Sequence, residues 1–542
     1  MRLRAPVRMM SVSASRMNAG PVLPAGRKPS RFFRNIKWLF GLTIGVGVGF
    51  CAYRIQQHRF PAAQEPVPEG KKRLLVLGSG WGSVSVLKNV DSREYDITVV
   101  SPRNYFLFTP LLPSCTTGCI EHRSIMEPIR SIIRGKKAEA KFVEAEVTKI
   151  DPYNRTVTVS HRAMHDNVKS EQIPDLVEEM PYDYLVIGVG SEVSTYGIPG
   201  VQEYGCYLKE IEHAQQIRKR IMDCFEAASF PGVDPETRKR LLTTVVVGGG
   251  PTGVEFAGEL HDFYVEDLKA LEPNLRDQVT LTLIEALPNV LPSFSKHLCD
   301  YAEKTLLDEK INVLTKTAVK KVTSDTIYAE KTLPDGRKEE VVIPYGLFVW
   351  AGGNSARPII KDLFSVIPEQ ATARRGLLVD EYLQVLGTDG VWAIGDCTSS
   401  HYAPTAQVAA QQGSYVGRLL NQIAERDDTL DKVTVLKKQL DDGLTDKKVA
   451  ANELRHWERR LEKASKLKQF QYSHQGSLAY VGSEKAVADL SFWGNAFASG
   501  GTWTFMFWRS AYLSMCFSIR NRLLVMLDWT KVRLFGRDVS RE

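Results

Sequence analysis

Short apolar runs, each closed by glycine or a polar turn, set the rhythm of this chain. The run at 74–77 opens into Gly78-Ser79-Gly80-Trp81-Gly82-Ser83, and the run at 245–247 opens into Gly248-Gly249-Gly250-Pro251-Thr252-Gly253. A buried strand, a glycine turn and then a helix-like segment is the pattern of a dinucleotide-binding unit. The first glycine permits the tight turn and the second lets backbone approach a pyrophosphate. The helix N-terminus then turns unpaired N–H groups toward that phosphate. Further runs at 96–100, 184–187, 279–284, 346–351 and 390–394 predict additional strands. The pattern predicts an α/β fold with two Rossmann-like dinucleotide-binding domains, followed by a C-terminal amphipathic membrane-binding region.

The two fingerprints differ where the ribose is read. The strand after the second ends in Glu285, a carboxylate that can accept hydrogen bonds from an adenosine ribose and repel a 2′-phosphate. That favours NADH over NADPH. The matching strand after the first ends in Ser101-Pro102-Arg103, with no acid, and Ser83 replaces the third glycine. The strand ending in Gly395-Asp396 suits an aspartate that meets a flavin ribityl chain, and the segment through Gly188 and Gly190 supplies the companion strand and turn. The first site is therefore expected to hold FAD and the second NADH, with electrons passing between them.

Charge and composition change the picture mainly at the ends. The net charge is +7, yet residues 1–64 hold eleven Lys/Arg and no acid, leaving −4 on the remainder. Nothing in the acidic body calls for nucleic acid. Residues 1–37, basic and acid-free, read as a mitochondrial transit peptide. The uncharged stretch that follows predicts a transmembrane anchor over 38–54, slightly short of the usual ~20 residues. A Pro-rich polar linker over 61–72 leads into the body, which this order places in the intermembrane space. At the other end, 503–535 mixes Tyr512, Leu513, Phe517 and Leu527 with Arg509, Arg520, Arg522, Lys531 and Arg533. Charges so frequent suit amphipathic helices lying on an anionic bilayer, or a dimerisation face. The eight cysteines form no CxxC pair, so a metal centre is not expected and flavin is the evident redox group. The predicted order is FAD domain, first part, 71–239; NADH domain 240–350; FAD domain, second part, 351–424; a charged insert of two exposed helices, 425–468, turning near Asp441-Asp442-Gly443; and the C-terminal region 469–542.

Several strings carry a family resemblance. The segment from Val100 through Thr109 to Ser114, GGGPTGVEFAGEL at 248–260, VWAIGDC at 391–397, APTAQVAAQQG at 403–413 and GSLAYVGSEKAVADL at 476–490 resemble type II NADH dehydrogenases of fungal mitochondria. The resemblance implies a non-proton-pumping NADH:ubiquinone oxidoreductase with one FAD, bound to inner-membrane lipids and joined as a homodimer through its C-terminal region. The extra anchor points to the external form. The resemblance further implies that Glu255 lies near nicotinamide and flavin, in a positioning or proton-handling role. The alternative is a helix N-terminal Glu favoured by the dipole. It makes Gln407 and Gln411, four apart on a predicted helix, quinone-pocket residues, and Tyr512 and Met515 lining residues of the quinone tunnel; core packing is the alternative for these. Gly352 and Gly353 mark the return past the nicotinamide. Three rivals share the fold. A disulfide reductase needs a redox cysteine pair, and Cys115 and Cys119 are spaced by three residues rather than four. A sulfide:quinone oxidoreductase has little use for Glu285. A mitochondrial signalling or import flavoprotein would bind FAD and NADH with little quinone turnover.

Overall fold

The structure, a computed structural model, describes residues 47, 49–161, 176–268, 271–275, 278–442, 447–492 and 495–540. Residues 1–56 form a unit of their own, and its described residues are helical. The transit peptide expected over 1–37, and most of the anchor expected over 38–54, lie outside the described residues. Among the described residues no helix is long and apolar enough to cross a membrane, so the transmembrane expectation gains no support.

The first parallel sheet begins with β1 (Lys72–Leu77), turns into α1 (Trp81–Asn89), and continues through β2 (Tyr95–Ser101), β3 (Ala140–Glu144) and β4 (Tyr184–Ile187). Leu74 to Leu77 are all buried, because helices and loops cover both faces of a parallel sheet. The β-rich segment expected inside this region is a three-stranded antiparallel sheet of Glu146–Asp151, Thr156–His161 and Leu176–Pro181. The 61–72 linker is tied down: the Gln64 side-chain amide donates to the carbonyls of Ile133, Lys136 and Ala138 at 2.9–3.2 Å.

The second parallel sheet contains β5 (Cys206–Tyr207), β6 (Thr243–Val247), β7 (Thr280–Ile284), β8 (Asn312–Leu314) and β9 (Leu347–Trp350), in the order β5-β9-β6-β7-β8. Helices α2 (Ile211–Ser229) and α3 (Pro251–Phe263) belong to the same region. The sheet thus recruits residues before position 240. A two-residue strand is too short to leave a pattern in sequence, and β5 exists because it pairs with β9. The chain then re-enters the first sheet as β10 (Val391–Ala393), completing the order β10-β4-β1-β2-β3. Where it crosses between sheets, Ser191–Val193 pairs antiparallel with Asn354–Ala356.

Helix α4 (Ala406–Asp441) seats on α1 through its glycines. A Cβ on Gly413 would fall 2.1 Å from the Gly82 carbonyl oxygen, and one on Gly417 would fall 2.9 Å from that of Val86. Helix α5 (Lys447–Ser465) folds back on α4, which is the expected hairpin. The charged segment does not start a new element, however. α4 runs unbroken from the core into solvent, since it holds no proline between 406 and 441. The C-terminal region is a β-meander, β11 (Ser477–Gly482), β12 (Lys485–Phe492) and β13 (Asn495–Gly501), followed by α6 (Thr502–Met515) and α7 (Ile519–Phe535). β11 lies against α3 so closely that a Cβ on Gly258 would meet the Gly482 nitrogen at 2.6 Å.

Candidate active site

A cavity of about 970 Å³ runs along the ends of β1, β2, β4 and β10. It lies near the top of the ~300–1,000 Å³ range of small-molecule sites. Every residue expected at the first nucleotide site lines it except Ser83. Gly78 holds φ +97, and a Cβ there would sit 2.4 Å from the Gly188 oxygen, so the turn admits glycine alone. Gly80 caps α1 without a side-chain cap, and nothing lies within 4 Å of where its Cβ would be. That leaves the helix N-terminus bare toward the cavity. Ser83 turns away from it and donates to the Leu77 carbonyl at 3.1 Å, which is how a serine replaces the third glycine. Trp81 is pinned by its indole N–H, 3.0 Å from Thr109 Oγ1, and Ser101 Oγ donates to Ser79 Oγ at 3.0 Å.

The polar rim suits a dinucleotide. Arg103 is ion-paired with Glu210, and Arg357 lies 3.8 Å from the same carboxylate. Asp396 accepts from Ser191 Oγ at 3.0 Å, and Gly395 donates its N–H to Gln412 Oε1 at 2.6 Å. Lys209 Nζ donates to Ser191 Oγ (2.7 Å) and Asn354 Oδ1 (2.9 Å); burial lowers its pKa. Bare helix N–H groups and three cations match a pyrophosphate, and Asp396 matches a polyhydroxyl chain. FAD is the group that these residues fit. Sequence reading missed Lys209, Glu210, Arg357 and Gln412. Lys209 follows the two-residue β5, and nothing in the local pattern announces a strand there.

At the second fingerprint, Gly248 holds φ +118, and a Cβ on Gly253 would fall 1.9 Å from the Gly248 oxygen. Glu285 stands at the tip of β7. One carboxylate oxygen accepts the Gly249 N–H at 2.5 Å and the other accepts the Leu287 N–H at 2.7 Å. Thr252, Gly352 and Gly353 line the large cavity, so it reaches from the first fingerprint to the edge of the second. Gly248, Gly249, Gly250, Pro251, Gly253 and Glu285 lie outside that lining.

Glu255 is buried, 6 % exposed, against the C-terminal region rather than lying free at a helix start. Its Oε1 accepts from the Tyr480 N–H at 3.2 Å and the Tyr512 hydroxyl at 3.5 Å. Desolvation pushes its pKa up to about 8, with the Glu259 charge adding to the rise. Tyr512 is buried, its ring tilted against that of Trp508 with centroids 4.7 Å apart, whereas Met515 is 48 % exposed and does not pack in the core. Gln407 and Gln411 share a face of α4 and bind backbone. Gln411 donates to the Ser473 carbonyl at 2.7 Å and accepts from its backbone N–H at 2.9 Å. Gln407 accepts from Tyr472 and from the Gln475 N–H, and donates to the Gly476 carbonyl. None of these four lines the large cavity, nor does any cysteine. Cys115 and Cys119 are free, buried and pushed up in pKa by desolvation, so neither is poised as a thiolate.

A family profile described as pyridine nucleotide-disulphide oxidoreductase matches residues 72–413, and one described as the NDH2 C-terminal domain matches 474–538. The external alternative NADH-ubiquinone oxidoreductase of Yarrowia lipolytica mitochondria is 57 % identical over 521 residues, 95 % of this chain and 88 % of the relative. The chain belongs to the type II NADH dehydrogenases. External NADH-ubiquinone oxidoreductase 2 of Saccharomyces cerevisiae mitochondria is 44 % identical, over 94 % of this type II dehydrogenase and 90 % of its own length. The solved structure of NDH2 from Plasmodium falciparum in complex with NADH superposes with a TM-score of 0.73 at 26 % identity, covering 87 % of this chain and 100 % of that one. Both profiles leave out 414–473, the stretch that holds most of the α4–α5 hairpin of this type II dehydrogenase.

Proposed function

We propose that this mitochondrial enzyme oxidises NADH and passes the electrons to ubiquinone without pumping protons. The carrying observation is the cavity that runs from the first fingerprint to Thr252 of the second and to Gly352 and Gly353, with Glu255 one helical turn beyond Thr252 and buried where the C-terminal region closes over α3. FAD, when bound, supplies the chemistry: it accepts a hydride and releases electrons to a quinone, so no metal is needed. Gly78, Gly80 and the bare start of α1 would receive its pyrophosphate, with Asp396 on its ribityl chain. Gly248 to Gly253 would receive the NADH pyrophosphate, and Glu285 its adenosine ribose. Glu255, largely protonated at neutral pH, is the group able to hold or give a proton near the reacting atoms.

Ubiquinone enters from the lipid side. α6 and α7 leave Trp503, Phe507, Leu527, Leu534 and Phe535 exposed, between Arg509, Arg520, Lys531 and Arg533. Such a face supports docking on an anionic bilayer, and its unburied apolar remainder supports a homodimer contact. Tyr512 and Met515 on α6 would line the quinone's route, and the Gln407–Gln411 pair would shape it by holding the 472–476 segment. We place the enzyme on the inner membrane facing the intermembrane space. The test is NADH oxidation by mitochondria containing this protein, with a short-tailed quinone and rotenone. Turnover with inner membranes intact supports the external orientation. Turnover only after opening them turns the enzyme toward the matrix. No turnover with FAD bound favours a signalling flavoprotein.

A further inference from the structure

The reaction NADH + H⁺ + Q → NAD⁺ + QH₂ carries two electrons and one proton as hydride, so the second proton of the quinol comes from water. The inner end of the site is sealed: Glu255, Trp508 and Tyr512 are all at most 8 % exposed. A route for that proton is needed, and α3 contains one. Glu259 and Asp262 follow Glu255 at i+4 and i+7, on one face of the helix. They are 5 % and 4 % exposed. Nothing in the proposed chemistry uses them, and buried acids are costly without a purpose.

Each of these acids has a relay-type environment. At the inner end the Trp508 indole N–H is buried without a hydrogen-bond partner and faces Glu255 and Tyr512. Glu259 accepts from Ser114 Oγ at 2.6 Å; Arg537, Arg509 and Cys119 face it from other parts of the chain, and Asp262 from its own helix. Burial raises its pKa, and Arg537 opposes the rise. Asp262 accepts from the Tyr480 hydroxyl and from the Ser483 N–H at 2.8 Å, while Tyr480's own N–H reaches Glu255. Tyr480 therefore straddles both ends of the array. Beside Asp262, His261 Nδ1 lies 3.3 Å from its carboxylate, and His261 Nε2 lies 3.8 Å from Glu309, which pairs with Lys485. His261 and Glu309 side chains are 14 % and 22 % exposed, so the array ends at water.

We propose that the acidic face of α3 is a proton relay, entering at Glu309 and His261 and passing through Asp262 and Glu259 to Glu255. It rests on the reading of Glu255 as the group beside the reacting atoms. In each turnover one proton enters at the outer end and one leaves Glu255 for a quinone oxygen; electrons do not travel this route.

Two electron acceptors test it on the purified holoenzyme. Ferricyanide takes electrons alone, whereas a short-tailed ubiquinone needs the proton. For Glu259→Gln the expected result is a quinone-linked rate lowered on the order of tenfold or more, with a larger solvent isotope effect, while ferricyanide-linked turnover, FAD content and melting temperature stay unchanged. His261→Ala should lose quinone-linked rate and regain it with added imidazole. Equal effects on both acceptors, or none, in Glu259→Gln overturn the relay. Should that variant lose FAD, Ser114→Ala is read by the same ratio and decides. Glu255→Gln separates the two readings: full quinone turnover there overturns the role of Glu255 itself, whereas impairment confined to Glu255→Gln overturns only the relay.

Discussion

The two nucleotide modules are built on one plan and made different by a few side chains. In the first, the strand end carries no acid, Ser83 bonds back to the Leu77 carbonyl, and the glycine turn opens into the large cavity. In the second, Glu285 is clamped by two backbone N–H groups, and most of the turn lies outside that cavity. A resident cofactor calls for an enclosed site with many weak anchors. A substrate that comes and goes calls for an open turn and one decisive carboxylate. On the proposed reading the fingerprint would supply the phosphate cradle in both, and the residue beyond β2 or β7 would decide which nucleotide stays.

The largest expected effect tests what the modules share. Gly78→Ala and Gly248→Ala each put a Cβ into backbone at positive φ, at roughly 1–3 kcal/mol of strain plus the clash. The first should purify without flavin, seen in visible absorbance. The second should keep its flavin and lose NADH binding, seen in titration. If both lose flavin alike, the modules are not separable. Glu285→Ala should raise KM for NADH about tenfold through two lost charge-assisted bonds and spare flavin content. Glu285→Gln should raise the NADPH/NADH ratio of kcat/KM, and an unchanged ratio removes Glu285 from ribose reading.

Glu255, at the junction of the modules with the C-terminal region, has a pH signature. Its folded pKa of about 8 lies above the ordinary 4.5. The folded state therefore binds the extra proton between those values, and stability should fall as pH rises through that window. Glu255→Gln should flatten that slope in denaturant titrations. The smallest effect separates the two third-glycine positions. Ser83→Ala should cost about 1 kcal/mol, read by melting, with NADH affinity untouched.

Much of this was open to sequence reading, and its limits are instructive. The strand–turn–helix units were legible because β1, β6 and β7 are apolar runs that end at glycine or an acid. The helical hairpin was legible from spacing, but the continuity of α4 from Ala406 was not, since nothing local marks where a helix leaves the core. β5 left no trace, and with it went Lys209. Gln407 and Gln411 were placed on one face correctly, yet their partners in the 472–476 segment lie more than sixty residues away.

By itself the sequence determined the two nucleotide units, their order and the acid that distinguishes them, because turn geometry and strand patterning are local properties of a few consecutive residues. Only the tertiary structure decided that Glu255 is buried and that Glu259, Asp262 and Tyr480 continue inward from His261. It also decided that the cavity of the first turn reaches Thr252 of the second. Burial and pKa arise from what packs on a helix, and here that is β11 and α6, more than two hundred residues downstream of α3.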